Sequence, residues 1–97
     1  MIDNDSPDRA HARTAFLTQT GLAAATLEPL PVDASFRRYF RLRGGGRPML
    51  LMDAPPPKED VRPFIRIARH LIGLGLSAPE IYEFDEAEGF ALIEDFG

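Results

Sequence analysis

"FRRYFRLRGGGRPMLLMDAPPP", running from Phe36 to Pro57, carries more structural information than any other part of the chain. It opens with an alternation. Phe36, Arg38, Phe40 and Leu42 fall on one side of an extended segment, and Arg37, Tyr39, Arg41 and Arg43 on the other, as a period of two requires. Gly44-Gly45-Gly46 is a flexible turn, and the following "PMLLM" is a short apolar run suited to a buried strand. Phe36 to Met52 therefore reads as a β-hairpin. Pro55-Pro56-Pro57 ends regular structure there.

Working outward, the clearest helix follows. Val61, Phe64, Ile65, Ala68, Leu71 and Ile72 keep the i, i+3, i+4, i+7 spacing of one buried stripe. Asp60 is the expected N-cap, Pro63 is tolerated because it falls in the first turn, and Gly73 and Gly75 end the helix. "SAPEIYEF" and "GFALIE" are two short strands joined by the acidic turn Asp85-Glu86-Ala87-Glu88. Upstream, Ala25 to Leu30 is a short strand, weakened by Pro29 and Pro31. A helix precedes it. Ser6 suits its N-cap, Pro7 its first position and Asp8 the positive end of its dipole, with Gly21 as the stop. Ala12, Ala15, Phe16 and Gln19 are its expected inner face. The order is helix, three strands, helix, two strands. The predicted fold class is α+β: an antiparallel sheet of about five strands, a helix between strands three and four, and an N-terminal helix.

Composition sets further bounds. Ninety-seven residues suffice for one domain, 1–97, with a modest core. The net charge of −4 argues against nucleic acid as a partner, although five arginines crowd between Arg37 and Arg47. The absence of cysteine excludes disulfides and thiolate metal sites. The polar start "MIDNDSPDRAHAR" lacks the features of a signal peptide, and no apolar run approaches the ~20 residues that span a bilayer. A cytoplasmic protein without membrane contact is expected. "GGGRP" is no phosphate-binding loop, because no Gly-Lys-Ser/Thr follows it. His11 and His70 stand alone and suggest no metal site, and the acidic turn lacks calcium-loop spacing.

Four segments carry a resemblance: "DASFRRYFRL", "LLMDAPPPKEDVRPF", "GLSAPEIY" and "ALIEDFG". From about Asp8 to Gly97 the chain resembles the N-terminal lobe of the aminoglycoside phosphotransferase family, which has the protein-kinase-like fold. More narrowly, it resembles the bacterial anomeric sugar kinases that act on N-acetylmuramate and N-acetylglucosamine in cell-wall recycling. The resemblance implies an ATP-binding lobe ending at the hinge, inactive alone. Mg2+ ligands, the catalytic aspartate and most of the sugar site would lie in a second lobe. The terminal Asp95-Phe96-Gly97 spells the magnesium tripeptide of protein kinases, but that motif follows the catalytic loop and none precedes it here. The resemblance instead makes "EDFG" the hinge. It implies that the Glu94 carbonyl accepts from the adenine amino group and the Phe96 N–H donates to the ring. Ile93 would line the back of the pocket, with Leu50 and Met52 among its apolar residues. Asp33, Ala34, Ser35 and Phe36 would cover the phosphates, in a turn that lacks the usual glycines; an ordinary hairpin turn is the alternative.

One departure from the kinase pattern is plain. The strand-3 lysine position falls on Met52 or Asp53, and the helix position of its glutamate partner near Phe64, Ile65 or Ala68. None carries the required charge. Arg37, Arg38 and Arg41 are the nearest cations that could balance phosphate. Arg38 stands out because it lies in an apolar row, where it either contacts phosphate or pairs with Asp53 or another carboxylate. A lobe cut at its hinge would also leave Leu50, Met52 and Ile93 uncovered, so self-association is expected. Two alternatives stand beside the sugar kinase: a non-catalytic α+β interaction module, and a lobe of an aminoglycoside- or choline-type small-molecule kinase.

Overall fold

The computed structural model describes residues 7–31 and 37–95. Helix α1 (Pro7–Gln19) leads into β1 (Thr26–Pro29), β2 (Arg38–Arg43) and β3 (Met49–Asp53), then α2 (Arg62–Gly73), β4 (Ile81–Asp85) and β5 (Phe90–Glu94). The strands form one antiparallel sheet in the order β1-β2-β3-β5-β4. The predicted class, strand count and helix order hold. Strand β5 inserts between β3 and β4 and is packed on both faces, Phe90 and Leu92 on the α1 side and Ala91 and Ile93 on the α2 side, so all four are buried.

The alternation in β2 and β3 sorts the core into two layers. On one face Phe40, Leu42, Met49, Leu51, Phe90 and Leu92 pack against Phe16 and Leu17 of α1. Phe16 stacks on Phe90 with ring centroids 5.3 Å apart. On the other face Met52, Ala54, Ile81, Ala91 and Ile93 pack against Ile65 and Ala68 of α2 and Val61 just before it. Each fully buried Val, Leu, Ile or Met side chain here contributes roughly 1.5–3 kcal/mol by leaving water. Hence α2 docks firmly although none of its side chains caps its N-terminus.

The ends of α2 differ slightly from expectation. Its N-cap position is Val61, not Asp60. The Asp60 carboxylate nevertheless accepts a hydrogen bond from the Arg62 backbone N–H at 3.0 Å and from its guanidinium at 2.8 Å. These bonds lower the Asp60 pKa from 3.8 to about 2. At the other end Gly75 adopts φ +80°, and Leu76 N–H returns to the Leu71 carbonyl, a left-handed stop that favours glycine.

The inner face of α1 is rotated from the predicted one. Arg13, Phe16 and Leu17 are buried, whereas Ala15 and Gln19 are exposed. The cause is Asp53, a carboxylate only 2% exposed at the end of β3. Arg13 Nη1 donates to its Oδ2 at 2.7 Å, and Arg9 donates to Oδ1 through Nε and Nη2. Arg9 also donates to the Glu88 carbonyl at 2.8 Å and lies over the Phe90 ring. Two arginines one helical turn apart thus clamp one buried carboxylate and fix α1 on the sheet. Ser6, the expected N-cap, lies outside the described residues.

Candidate functional site

The sheet registers decide which predicted site residues can meet. Arg41 faces Leu50, which faces Ile93; Tyr39 faces Met52, which faces Ala91. Leu50, Met52 and Ile93 therefore share the α2 face, as the hinge-pocket reading requires. The helix closes over part of that face. Met52 and Ile93 are buried at 0% and 4% exposure, while Leu50 and Tyr39 stay half-buried. This corrects the expectation that Met52 and Ile93 are uncovered apolar surface. Among the described residues the exposed large apolar side chains are Ile67, Leu74, Leu76 and Phe84.

What remains open is a strip along β2 and its neighbour β3: Arg37, Tyr39 and Arg41, with Leu50 beside them. From Arg37 to Arg41 it spans roughly 13 Å, at the rise of an extended strand. An ion pair stands at each end. At the β5 exit, Arg41 Nε donates to Asp95 Oδ2 at 2.9 Å, and Asp95 N–H donates to the Pro48 carbonyl at 3.3 Å. At the opposite end, next to the segment that joins β1 to β2, Arg37 Nη2 lies 3.1 Å from Glu59 Oε1. Glu59 precedes α2, and its N–H donates to the Pro55 carbonyl at 3.0 Å. An apolar middle flanked by two cations can stack a planar base and hold an anion.

Arg38 is not part of this strip. It faces Asp53 in register, and its guanidinium lies 4.9 Å from the Phe40 ring centroid, on the α1 face. The structure does not bring it together with Leu50, Met52 and Ile93. Nor is Asp53 reserved for Arg38, since Arg9 and Arg13 hold its carboxylate. The side chain at the strand-3 lysine position on the α2 face is Met52. Glu94 ends β5, with its N–H donating to the Glu80 carbonyl at 2.9 Å. Asp33, Ala34, Ser35, Phe36 and Phe96 lie outside the described residues. Among the described residues no group of three or more His, Asp or Glu side chains could hold a metal ion. No helix there is long and apolar enough to cross a membrane.

Sequence reasoning missed the Arg37–Glu59 and Arg41–Asp95 pairs and the clamp on Asp53. The alternation of β2 already placed Arg37 and Arg41 with Tyr39. Their partners lie 22 and 54 positions away and carry no local signal.

Comparison with known proteins bears on the same segments. Residues 26–95, from β1 to the end of the strip, match the phosphotransferase enzyme family, APH. A Pseudomonas aeruginosa protein named N-acetylmuramate/N-acetylglucosamine kinase is 52% identical over 75% of this chain and 22% of its own length. Its namesake in Pseudomonas putida is 45% identical over 76% of the chain and 22% of its own length. That of Caulobacter vibrioides is 33% identical over 95% and 33%, respectively. The chain thus spans between about a fifth and a third of the curated relatives it matches. With the family match extending over most of its described fold, the chain belongs to the phosphotransferase enzyme family.

Proposed function

We propose that this chain is the ATP-binding lobe of a kinase that phosphorylates a sugar hydroxyl, more narrowly the anomeric hydroxyl of an N-acetylated amino sugar in cell-wall recycling. The observation that carries the reading is the open strip of the α2 face, which starts beside the β5 exit and ends beside the β1–β2 connection. The names of the relatives support the sugar.

Bound ATP supplies the phosphoryl group. The chain's own residues hold it. The half-buried Leu50 offers an apolar surface to the base, with Met52 and Ile93 beneath it as a rigid floor. At the β5 exit, the Glu94 carbonyl and the Phe96 N–H serve the base edge. The Arg41–Asp95 pair ties that exit to β2 and keeps it in place. Residues Asp33 to Phe36 cover the phosphates, with the Ser35 hydroxyl as a donor. The described residues offer no Mg2+ ligand set. The metal, the base that accepts the sugar proton and most sugar contacts belong to chain beyond this lobe, as phosphoryl transfer requires. The working compartment is the cytoplasm.

The test uses the polypeptide as its gene encodes it. The reading frame should continue past Gly97 into a His-x-Asp-like catalytic loop. The product should move label from γ-labelled ATP to N-acetylmuramate or N-acetylglucosamine, giving an acid-labile anomeric phosphate. Label only on an aminoglycoside or choline would overturn the sugar assignment. A frame that stops at Gly97 would leave an interaction module.

A further inference from the structure

Protein kinases balance the triphosphate with a strand-3 lysine that a helix glutamate holds in place. Here the corresponding side chain on the α2 face is Met52, buried and uncharged. The charge must come from elsewhere on that face. Its described cations along β2 are Arg37, Arg41 and Arg43; Arg41 and Arg43 sit toward the end where the base would lie, and Arg43 is exposed and paired with Glu28. Arg37 sits at the phosphate end.

Arg37 also has the chemistry and the support. Its Nη2 is engaged by Glu59, which leaves further guanidinium donors for a second anion. Its Nε is buried and has no hydrogen-bond partner among the described residues. A buried donor without an acceptor is costly, and an incoming phosphate oxygen would relieve that cost. The side chain remains 24% exposed, so an anion can reach it, while Glu59 is only 17% exposed. Glu59 is itself anchored through its N–H to the Pro55 carbonyl, immediately before α2. The pair therefore links the second strand to the approach of the helix, as the kinase pair links the third strand to the helix.

We infer that Arg37 contacts the nucleotide phosphates and that Glu59 positions it, an arginine–glutamate pair standing in for the missing lysine–glutamate pair. The inference rests on the ATP-lobe reading above and replaces Arg38 with Arg37 as the phosphate cation. Arginine suits the role because its planar fork gives two donors to one phosphate.

The test is an NMR titration of the polypeptide as its gene encodes it with adenosine and, separately, with MgATP. The probes are the Leu50 methyl groups and the Arg37 Nε–H. Adenosine should shift Leu50 alone, and MgATP should shift both. Arg37→Ala should weaken MgATP about tenfold or more, the typical consequence of losing a charge-assisted contact, with adenosine affinity unchanged. Glu59→Gln should reduce the preference for MgATP over adenosine, which a purely structural role would leave intact. Arg43→Ala, on an exposed pair with Glu28, should change neither affinity. The wild-type Nε–H signal keeps the test decisive if Arg37→Ala fails to fold. Leu50 responding to both ligands while Arg37 Nε–H ignores MgATP would overturn the inference and leave the ATP lobe standing. So would selective loss of MgATP binding in Arg38→Ala rather than Arg37→Ala. No response at Leu50 to either ligand would overturn the ATP lobe and the inference with it.

Discussion

Replacing Asp53 with asparagine should unfold this domain more readily than any other single change of a charged side chain. Asp53 is 2% exposed and bonded to Arg13, whose side chain is 6% exposed, and to Arg9, at 18%. Removing one partner of a buried pair leaves the other charge in a low-dielectric site, at about 3–5 kcal/mol. A domain of this size has roughly 5–15 kcal/mol of total stability, so the loss is a large fraction of it. At about 4–8 °C per kcal/mol, the melting temperature should fall by at least about 12 °C. Urea unfolding followed by circular dichroism measures the change directly. Arg9→Ala should cost less, because that side chain is better solvated. An apolar replacement of the whole cluster (Asp53→Leu with Arg9→Met and Arg13→Met) should recover most of the loss, since the desolvation penalty goes with the charges. An Asp53→Asn protein within about 1 kcal/mol of wild type, the range of solvent-exposed pairs, would refute the argument.

Gly89→Ala should be at least as damaging. At φ +80° a new Cβ would overlap the Ala54 carbonyl oxygen and come within 2.9 Å of its carbon, where Gly89 now accepts the Ala54 N–H. A cooperative wild-type-like melt of that variant would count against the β5 entry described. The Asp60 carboxyl should titrate near 2 by NMR, below its ordinary 3.8. Its folded pKa is depressed, so the stability it adds is present above 3.8 and disappears as pH falls toward about 2; a midpoint at or above 3.8 would show that the Arg62 bonds do not persist. The 97-residue chain alone should transfer no phosphate from ATP to any sugar, because phosphoryl transfer needs metal ligands and a base; turnover above background in a kinase-free preparation would contradict this.

The order of elements was legible because each long element carries its own period. The stripe from Val61 to Ala68 marks α2, and the alternation from Arg38 to Arg43 marks β2, whatever surrounds them. The family-bearing segments were legible too. The extent of helix α1 was legible but its inner face was not, since Arg9 and Arg13 look like solvent-facing residues until Asp53, 40 positions beyond Arg13, meets them. The same limit hid the site. Alternation told Arg37 from Arg38 but not which face would hold the ligand. That depended on α2 docking beside Met52 and Ile93, and on a β2–β3 register that three glycines in a turn do not specify.

A crystal structure of the polypeptide as its gene encodes it, with a non-hydrolysable ATP analogue and Mg2+, tests the central claim most directly. The account predicts the base against Leu50 at the β5 exit, Met52 and Ile93 beneath it, and the phosphates at the opposite end of the strip beside Arg37. A nucleotide bound on the α1 face, or away from the sheet altogether, would contradict it.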